Sequence, residues 1–169
     1  KPQINGKETF KRILIKRRKR DKRMEFRILD LFCGAGGMSY GMHKNSHFVT
    51  KVALDINAKL AQTFKENIPE SELIIGDIQD KEIKEKIINL SKKNKVNMII
   101  GGPPCQGFSL AGPRQVDDSR NVLYRHFVEM VKIKQPKVIV AENVIGIKTL
   151  GDGAVFEKII EDFSDLGYT

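Results

Sequence analysis

The segment Gly101-Gly102-Pro103-Pro104-Cys105-Gln106-Gly107-Phe108-Ser109 puts a thiol directly after two prolines, with glycines on either side. Consecutive prolines fix the backbone ahead of the cysteine, and glycines let a ligand come close to the main chain. A thiol on so stiff a loop is a candidate nucleophile. It needs activation, because an ordinary thiol, with a pKa of about 8.5, is mostly protonated at neutral pH. Further along, Glu142-Asn143-Val144 supplies a carboxyl group. Such an acid helps a nucleophilic cysteine when the reacting ring is a pyrimidine. Attack at ring carbon 6 places charge on the ring, and a carboxyl group at N3 can donate a proton or a hydrogen bond. The plainer alternatives are inert packing for Cys105 and a capping or ion-pairing role for Glu142. The loop context favours chemistry for Cys105.

A second group of residues suits a nucleoside-bearing ligand. Asp30-Leu31-Phe32-Cys33-Gly34-Ala35-Gly36-Gly37 is a glycine turn that opens a helix, the kind of turn that lets a ligand approach the backbone. Asp55 stands where a carboxylate accepts hydrogen bonds from ribose hydroxyls in doubly wound folds. Asp77, in Gly76-Asp77-Ile78, can accept from an adenine amino group. The alternative for both acids is turn or helix capping. Position 39 is Ser39, so the turn departs from the G-x-G-x-x-G form of pyrophosphate sites. That favours an adenosine cofactor without a diphosphate. Cys33 reads as a small buried packing residue.

These residues need a frame that brings them together. Short apolar runs at 27–32, 48–54, 72–75, 96–100 and 137–141 read as strands. Segments with helical spacing at 38–44, 58–67, 81–92, 121–133 and 154–166 alternate with them. Ile68-Pro69 stops the second helix. The alternation predicts an α/β fold: a three-layer, doubly wound, Rossmann-like sheet, mostly parallel and covered on both faces. Ligands sit at the carboxyl ends of the strands in such sheets, and every motif above falls at one of those ends.

Composition bounds the rest. The chain has 169 residues, 40% hydrophobic and 30% charged, which fits one globular domain. Residues 1–23 hold eleven Lys/Arg against two Asp/Glu, and 24–169 hold nineteen against nineteen. The whole net charge of +9 therefore lies in the lead-in. A basic arm over 1–25 suits phosphate backbones; the alternative is a solvated lead-in. Two cysteines and three histidines form neither a disulfide framework nor a metal pattern. No membrane span or secretory signal is evident in the sequence, and a reducing, cytoplasmic setting is expected, nucleoid-associated if prokaryotic. Without an initiator Met, the chain is expected to be processed or part of a longer protein.

The ordered set from Asp30–Gly37 through Asp55, Gly76-Asp77-Ile78, Pro103–Ser109, Asp118-Ser119-Arg120 and Glu142-Asn143-Val144 resembles the cytosine-C5 DNA methyltransferase family. The resemblance covers 26–169 and leaves the arm outside. It implies transfer of a methyl group from S-adenosyl-L-methionine, leaving S-adenosyl-L-homocysteine, to C5 of cytosine in double-stranded DNA. Phe32, Gly34, Gly36, Asp55, Asp77, Ile78, Pro103 and Leu123 would hold the cofactor. Cys105 would attack C6 of a flipped-out cytosine and Glu142 would engage N3. Gln106, Ser109, Arg114, Arg120 and Asn143 would meet the substrate, with the loop 106–118 closing over it.

The family continues with an Arg-containing motif, a target-recognition domain and a final cofactor-side helix, whereas the sequence ends at Tyr168-Thr169. The sheet is therefore expected to be incomplete at its C-terminal edge, with the missing region or a second chain carrying target recognition. A restriction-modification role is expected. Competing readings are an RNA cytosine methyltransferase, a binding or assembly module inactive by itself and, more distantly, a nicotinamide dehydrogenase.

Overall fold

A computed structural model describes residues 13–16, 25–104, 122–148 and 153–169, the first stretch and Val122 as backbone only. Among these residues six strands form one sheet: β1 (Ile13–Lys16), β2 (Phe26–Leu31), β3 (Phe48–Asp55), β4 (Glu72–Ile75), β5 (Met98–Gly101) and β6 (Val138–Ala141). Among the described residues five α-helices lie between or after them: α1 (Gly37–His43), α2 (Ala58–Asn67), α3 (Lys81–Lys93), α4 (Val122–Lys134) and α5 (Ala154–Asp165). The sheet order is β1-β6-β5-β2-β3-β4. Strands β2 to β6 are mutually parallel, and β1 runs antiparallel to β6. The expected three-layer α/β architecture is present, and the sheet is open, with β1 and β4 at its edges.

The strands are nearly continuous apolar runs because both faces are covered. On one face Leu29, Leu31, Ile99 and Ile139 pack with Ile87 of α3, Phe127 and Met130 of α4 and Phe163 of α5. On the other, Ile28, Met98, Ile100, Val138 and Val140 form a cluster joined by Met38 and Met42 of α1. Phe64 of α2 and the following Ile68 pack there with Ala53 and Cys33. Phe64, Phe127 and Phe163 are essentially inaccessible, each stabilising the fold by roughly 2–3 kcal/mol through burial alone.

Local chemistry sets the helix ends. The Asn57 side chain accepts hydrogen bonds from the Lys59 and Leu60 N–H groups and so starts α2. Asp80 does the same for α3 by accepting from Glu82 N. Helix α3 ends with Lys92 and Lys93 in its last turn, where cations complement the helix dipole.

Two features were not apparent in the sequence. Strand β1 comes from the basic lead-in: Ile13-Leu14-Ile15 pairs with Ala141, Val140 and Ile139. In addition, the β2–β3 register shifts between Ile28, which pairs with Thr50, and Leu29, which pairs with Val52. Lys51 is the extra residue of that bulge.

Candidate active site at the carboxyl edge of the sheet

The glycine turn follows β2 and is held by the end of β3. The Gly34 N–H donates to Asp55 Oδ2 at 2.7 Å, and the Asn57 N–H donates to Asp55 Oδ1 at 2.8 Å. Asp55 thus pins the turn to its own strand end. Each of its oxygens keeps acceptor capacity, so the capping and ribose-binding readings are compatible. Gly36 has φ 89° and lies so near Phe64 that a Cβ would stand 2.7 Å from the ring, so only glycine fits this position. A Cβ on Gly34 would meet nothing within 4 Å. Gly34 itself follows the carboxyl end of β2.

Asp77 shapes its own turn, accepting from Gln79 N at 2.9 Å and Gln79 Nε2 at 3.3 Å. The Ile78 side chain is in the core, so it can offer an adenine only its main chain. Phe32, at φ 61°, is half-buried against the main core, as is Leu123 of α4. Sequence reasoning missed Ile56 and Ile75. Both are exposed, at 68% and 51%, and Ile75 pairs with Asp55 across the β3–β4 ladder. Exposed isoleucines beside a ribose-type carboxylate suit the flat faces of a nucleobase. An apolar residue directly after a strand-end acid, as in Asp55-Ile56, was the available signal.

Under the turn lies a buried polar network. Ser39 Oγ donates to Asp30 Oδ2 at 2.5 Å, and Thr50 Oγ1 donates to Ser39 Oγ at 2.8 Å. The Thr50 N–H donates to His43 Nε2 at 2.7 Å. The network fastens α1 to β2 and β3 and so fixes the glycine turn. Burial, opposed by the Ser39 hydrogen bond and assisted by the charge of Asp55, pushes the Asp30 carboxyl up from 3.8 to about 7. A carboxyl raised by folding binds its proton more tightly in the native state, so stability is full below about pH 4 and falls as pH rises to about 7. Asp30→Asn keeps an acceptor for Ser39 and removes the titration. Its melting temperature should lack this decline between pH 4 and pH 7, and a decline as steep as the wild type's would show that Asp30 is not the group responsible. Burial and the Asp30 and Asp55 carboxylates push the Cys33 thiol far up, which suits the packing role expected of it.

The reactive end is assembled by β5 and β6. The Glu142 N–H donates to the Gly101 carbonyl at 2.9 Å. Asn143 Nδ2 donates to the Pro103 carbonyl at 3.4 Å. A Cβ on Gly102 would lie 2.9 Å from Glu142 Oε2. The Glu142 carboxylate, itself exposed, therefore stands over the backbone that leads into Pro103-Pro104. Cys105, Gln106, Ser109, Arg114 and Arg120, with the loop 106–118, lie outside the described residues. Among the described residues, no group of His, Cys, Asp and Glu could hold a metal ion.

A largely parallel sheet with a carboxylate-braced glycine turn at one strand end, and a glutamate above Gly102-Pro103-Pro104 two strands away, defines an α/β protein with a candidate ligand site along one sheet edge. The C-5 cytosine-specific DNA methylase family matches residues 26–169, and the chain belongs to it. The Type II methyltransferase M.BspRI of Lysinibacillus sphaericus is 38% identical over 171 residues, covering 85% of this chain and 38% of that protein. The Type II methyltransferase M.DdeI of Desulfomicrobium norvegicum is 42% identical over 144 residues, covering 83% and 34%. A solved structure described as a DNA modification methyltransferase encoded within a prophage of E. coli superposes with a TM-score of 0.66 at 35% identity, covering 83% and 38%. The chain thus spans little more than a third of the length of these proteins.

Proposed function

We propose that this chain is the cofactor-binding and catalytic part of an enzyme that methylates C5 of cytosine in double-stranded DNA, in a restriction-modification setting. The observation that supports it best is the Glu142 carboxylate standing over Gly102, at the entrance to Pro103-Pro104-Cys105. On this reading 26–169 is the catalytic domain and 1–25 a basic arm. The protein would work in the cytoplasm, and target recognition would lie in further sequence or in a second chain.

The residues present fit S-adenosylmethionine. Gly34 would leave the backbone open toward the methionine part, with Gly36 keeping the turn close against Phe64, and Phe32, with Pro103 and Leu123, would line the cofactor. Asp55 has acceptor capacity for the ribose, Asp77 and the Ile78 main chain for the adenine, and Ile56 and Ile75 would flank the base. The cofactor supplies an electrophilic methyl group on a sulfonium.

This chain's own residues would do the remainder. The Cys105 thiolate forms a bond to C6 of the flipped cytosine. Glu142 hydrogen-bonds or protonates N3, which directs electron density to C5. C5 would take the methyl group, leaving the thioether S-adenosylhomocysteine, and would then give its proton to solvent. The returning electrons re-form the C5–C6 double bond and release Cys105. Gln106, Ser109, Arg114, Arg120 and Asn143 would hold the extruded nucleotide, Asn143 being braced by Pro103.

The test is transfer of a labelled methyl group to duplex DNA, with transfer RNA as the competing acceptor. It is run on this chain and on any longer gene product that contains it. Glu142→Gln should lower transfer by roughly 100- to 10,000-fold, the usual worth of a general acid, while cofactor binding is kept. Unchanged turnover would remove Glu142 from the mechanism. Cofactor binding without transfer to either acceptor would make the chain a binding module.

A further inference from the structure

Helix α1 follows the glycine turn directly and has only seven residues, too few for a helix to be stable by itself. Gly36, at its start, supplies no side-chain cap. What fixes α1 is the face it turns to the sheet. Met38 and Met42 give apolar contact there. Ser39 and His43, four residues apart and so on one side of the helix, give polar contact. Both polar ties end on a single residue of β3. Thr50 Oγ1 donates to Ser39 Oγ at 2.8 Å, and the Thr50 N–H donates to His43 Nε2 at 2.7 Å. Two atoms of one strand residue, held by successive turns of α1, restrain both the rotation and the height of the helix.

The His43 contact answers a need that the sheet creates. Thr50 is fully buried and forms the last regular pair with β2 before the bulge. Strand β4 pairs with β3 only from Val52 onward, so no residue of β4 stands beside Thr50 to take its N–H. A buried N–H without an acceptor is costly, and the imidazole supplies the acceptor. Because an N–H cannot accept, Nε2 must present its lone pair, and the ring proton lies on Nδ1. Nδ1 faces Glu70 Oε1 at 3.8 Å, beyond hydrogen-bond reach. A ring with protons on both nitrogens would set one N–H against another. The Thr50 hydrogen bond and a full ion pair with Glu70 therefore exclude each other.

We infer that His43 is a positioning residue for the cofactor: with its proton on Nδ1, it fastens the end of α1 to the bulged part of β3 and so holds the glycine turn in place. The inference rests on the proposed function, which makes that turn the cofactor cradle. It adds a task for a side chain that stands roughly 10 Å along the helix axis from the turn. His43 acts through the helix. Ser39 holds the middle of α1, and without a second tie the helix can swing about that point and carry Gly36 with it. Asp55 keeps its own hold on the Gly34 N–H, so loss of the His43 tie weakens cofactor binding without abolishing it.

The test uses the whole chain, without DNA. Long-range proton–nitrogen NMR correlation on histidine-labelled protein near neutral pH should show the His43 ring, assigned by its loss in H43Q, with the proton on Nδ1 and a lone pair on Nε2. A proton on Nε2, with or without one on Nδ1, would overturn the assignment. Calorimetric titration with S-adenosylhomocysteine then compares variants with the wild type at a temperature where melting shows each to be folded. H43L, which has no acceptor, should bind about tenfold more weakly, the scale of one hydrogen bond. H43Q, whose amide oxygen can accept from the Thr50 N–H, should stay within about threefold of the wild type. E70Q should match the wild type. His43 is half-buried, so H43A lets water reach the Thr50 N–H and replaces H43L if that variant does not fold. Wild-type affinity in H43L, equal losses in H43L and H43Q, or a loss in E70Q as large as that in H43L would each refute the positioning role and leave the proposed function standing. Failure of the wild type itself to bind S-adenosylhomocysteine would overturn the proposed function, and this role with it.

Discussion

Cys105→Ser is expected to reduce methyl transfer by on the order of 10,000-fold or more, the scale seen when a covalent nucleophile is removed. The hydroxyl that replaces the thiol is far less ionised at neutral pH, and attack at C6 needs the anion. In the proposed mechanism every later step would depend on that bond, since C5 would become electron-rich only once C6 is occupied. Cofactor affinity should be unchanged, because Gly34, Gly36 and Asp55 belong to β2, β3 and the turn between them and are braced without the cysteine loop. Calorimetric titration with S-adenosylmethionine, run beside the transfer assay, separates the two effects. Retained turnover in the serine variant would end the nucleophile assignment.

The second large effect concerns the frame. Gly101→Ala places a Cβ 2.2 Å from the Leu31 carbonyl oxygen and 3.1 Å from the Phe127 ring. Leu31 and Gly101 are partners in the central β2–β5 ladder, and Gly101 also pairs with Ala141, so backbone on both sides resists a shift. A loss of about 3 kcal/mol or more is expected, seen as a clear fall in the midpoint of thermal or urea unfolding. Gly37→Ala is the control, since a Cβ there meets nothing within 4 Å. Equal midpoints for the two variants would mean that the sheet yields at Gly101 more readily than its pairing implies.

Most of this frame is legible in the sequence because its signals are local and repeated. Ile68-Pro69 marks the end of α2, and β4 is a short apolar run between turns. Asp55 and Asp77 stand at strand ends, as their places after the apolar runs indicate. What escapes the sequence depends on tertiary partners. Ile13-Leu14-Ile15 is too short to announce a strand amid lysines and arginines, and only the edge of β6 gives it pairing. Asp30 reads as a member of the glycine motif, yet its burial and the Ser39 hydrogen bond emerge only when α1 folds back over β2. The double duty of Asp55, bracing Gly34 N–H while keeping acceptor capacity, needs coordinates to be seen.

The bulge at Lys51 has a mechanical consequence. Alternation along β3 would put Thr50, Val52 and Leu54 on one side. In the structure Thr50 reaches Ser39 beneath α1, while Val52 and Leu54 join the core with α3, α4 and α5. The extra residue inverts the phase of the strand midway, so that β3 behaves as two half-strands joined by a vernier. The upstream half is keyed to the polar anchor of α1. The downstream half aims Asp55 at the glycine turn. Removing Lys51 would force one half to surrender its face to the other, whereas side-chain changes confined to one half leave the aim of the other intact. A single inserted residue thus lets one strand serve two sets of neighbours whose spacing the plain pleat could not satisfy together.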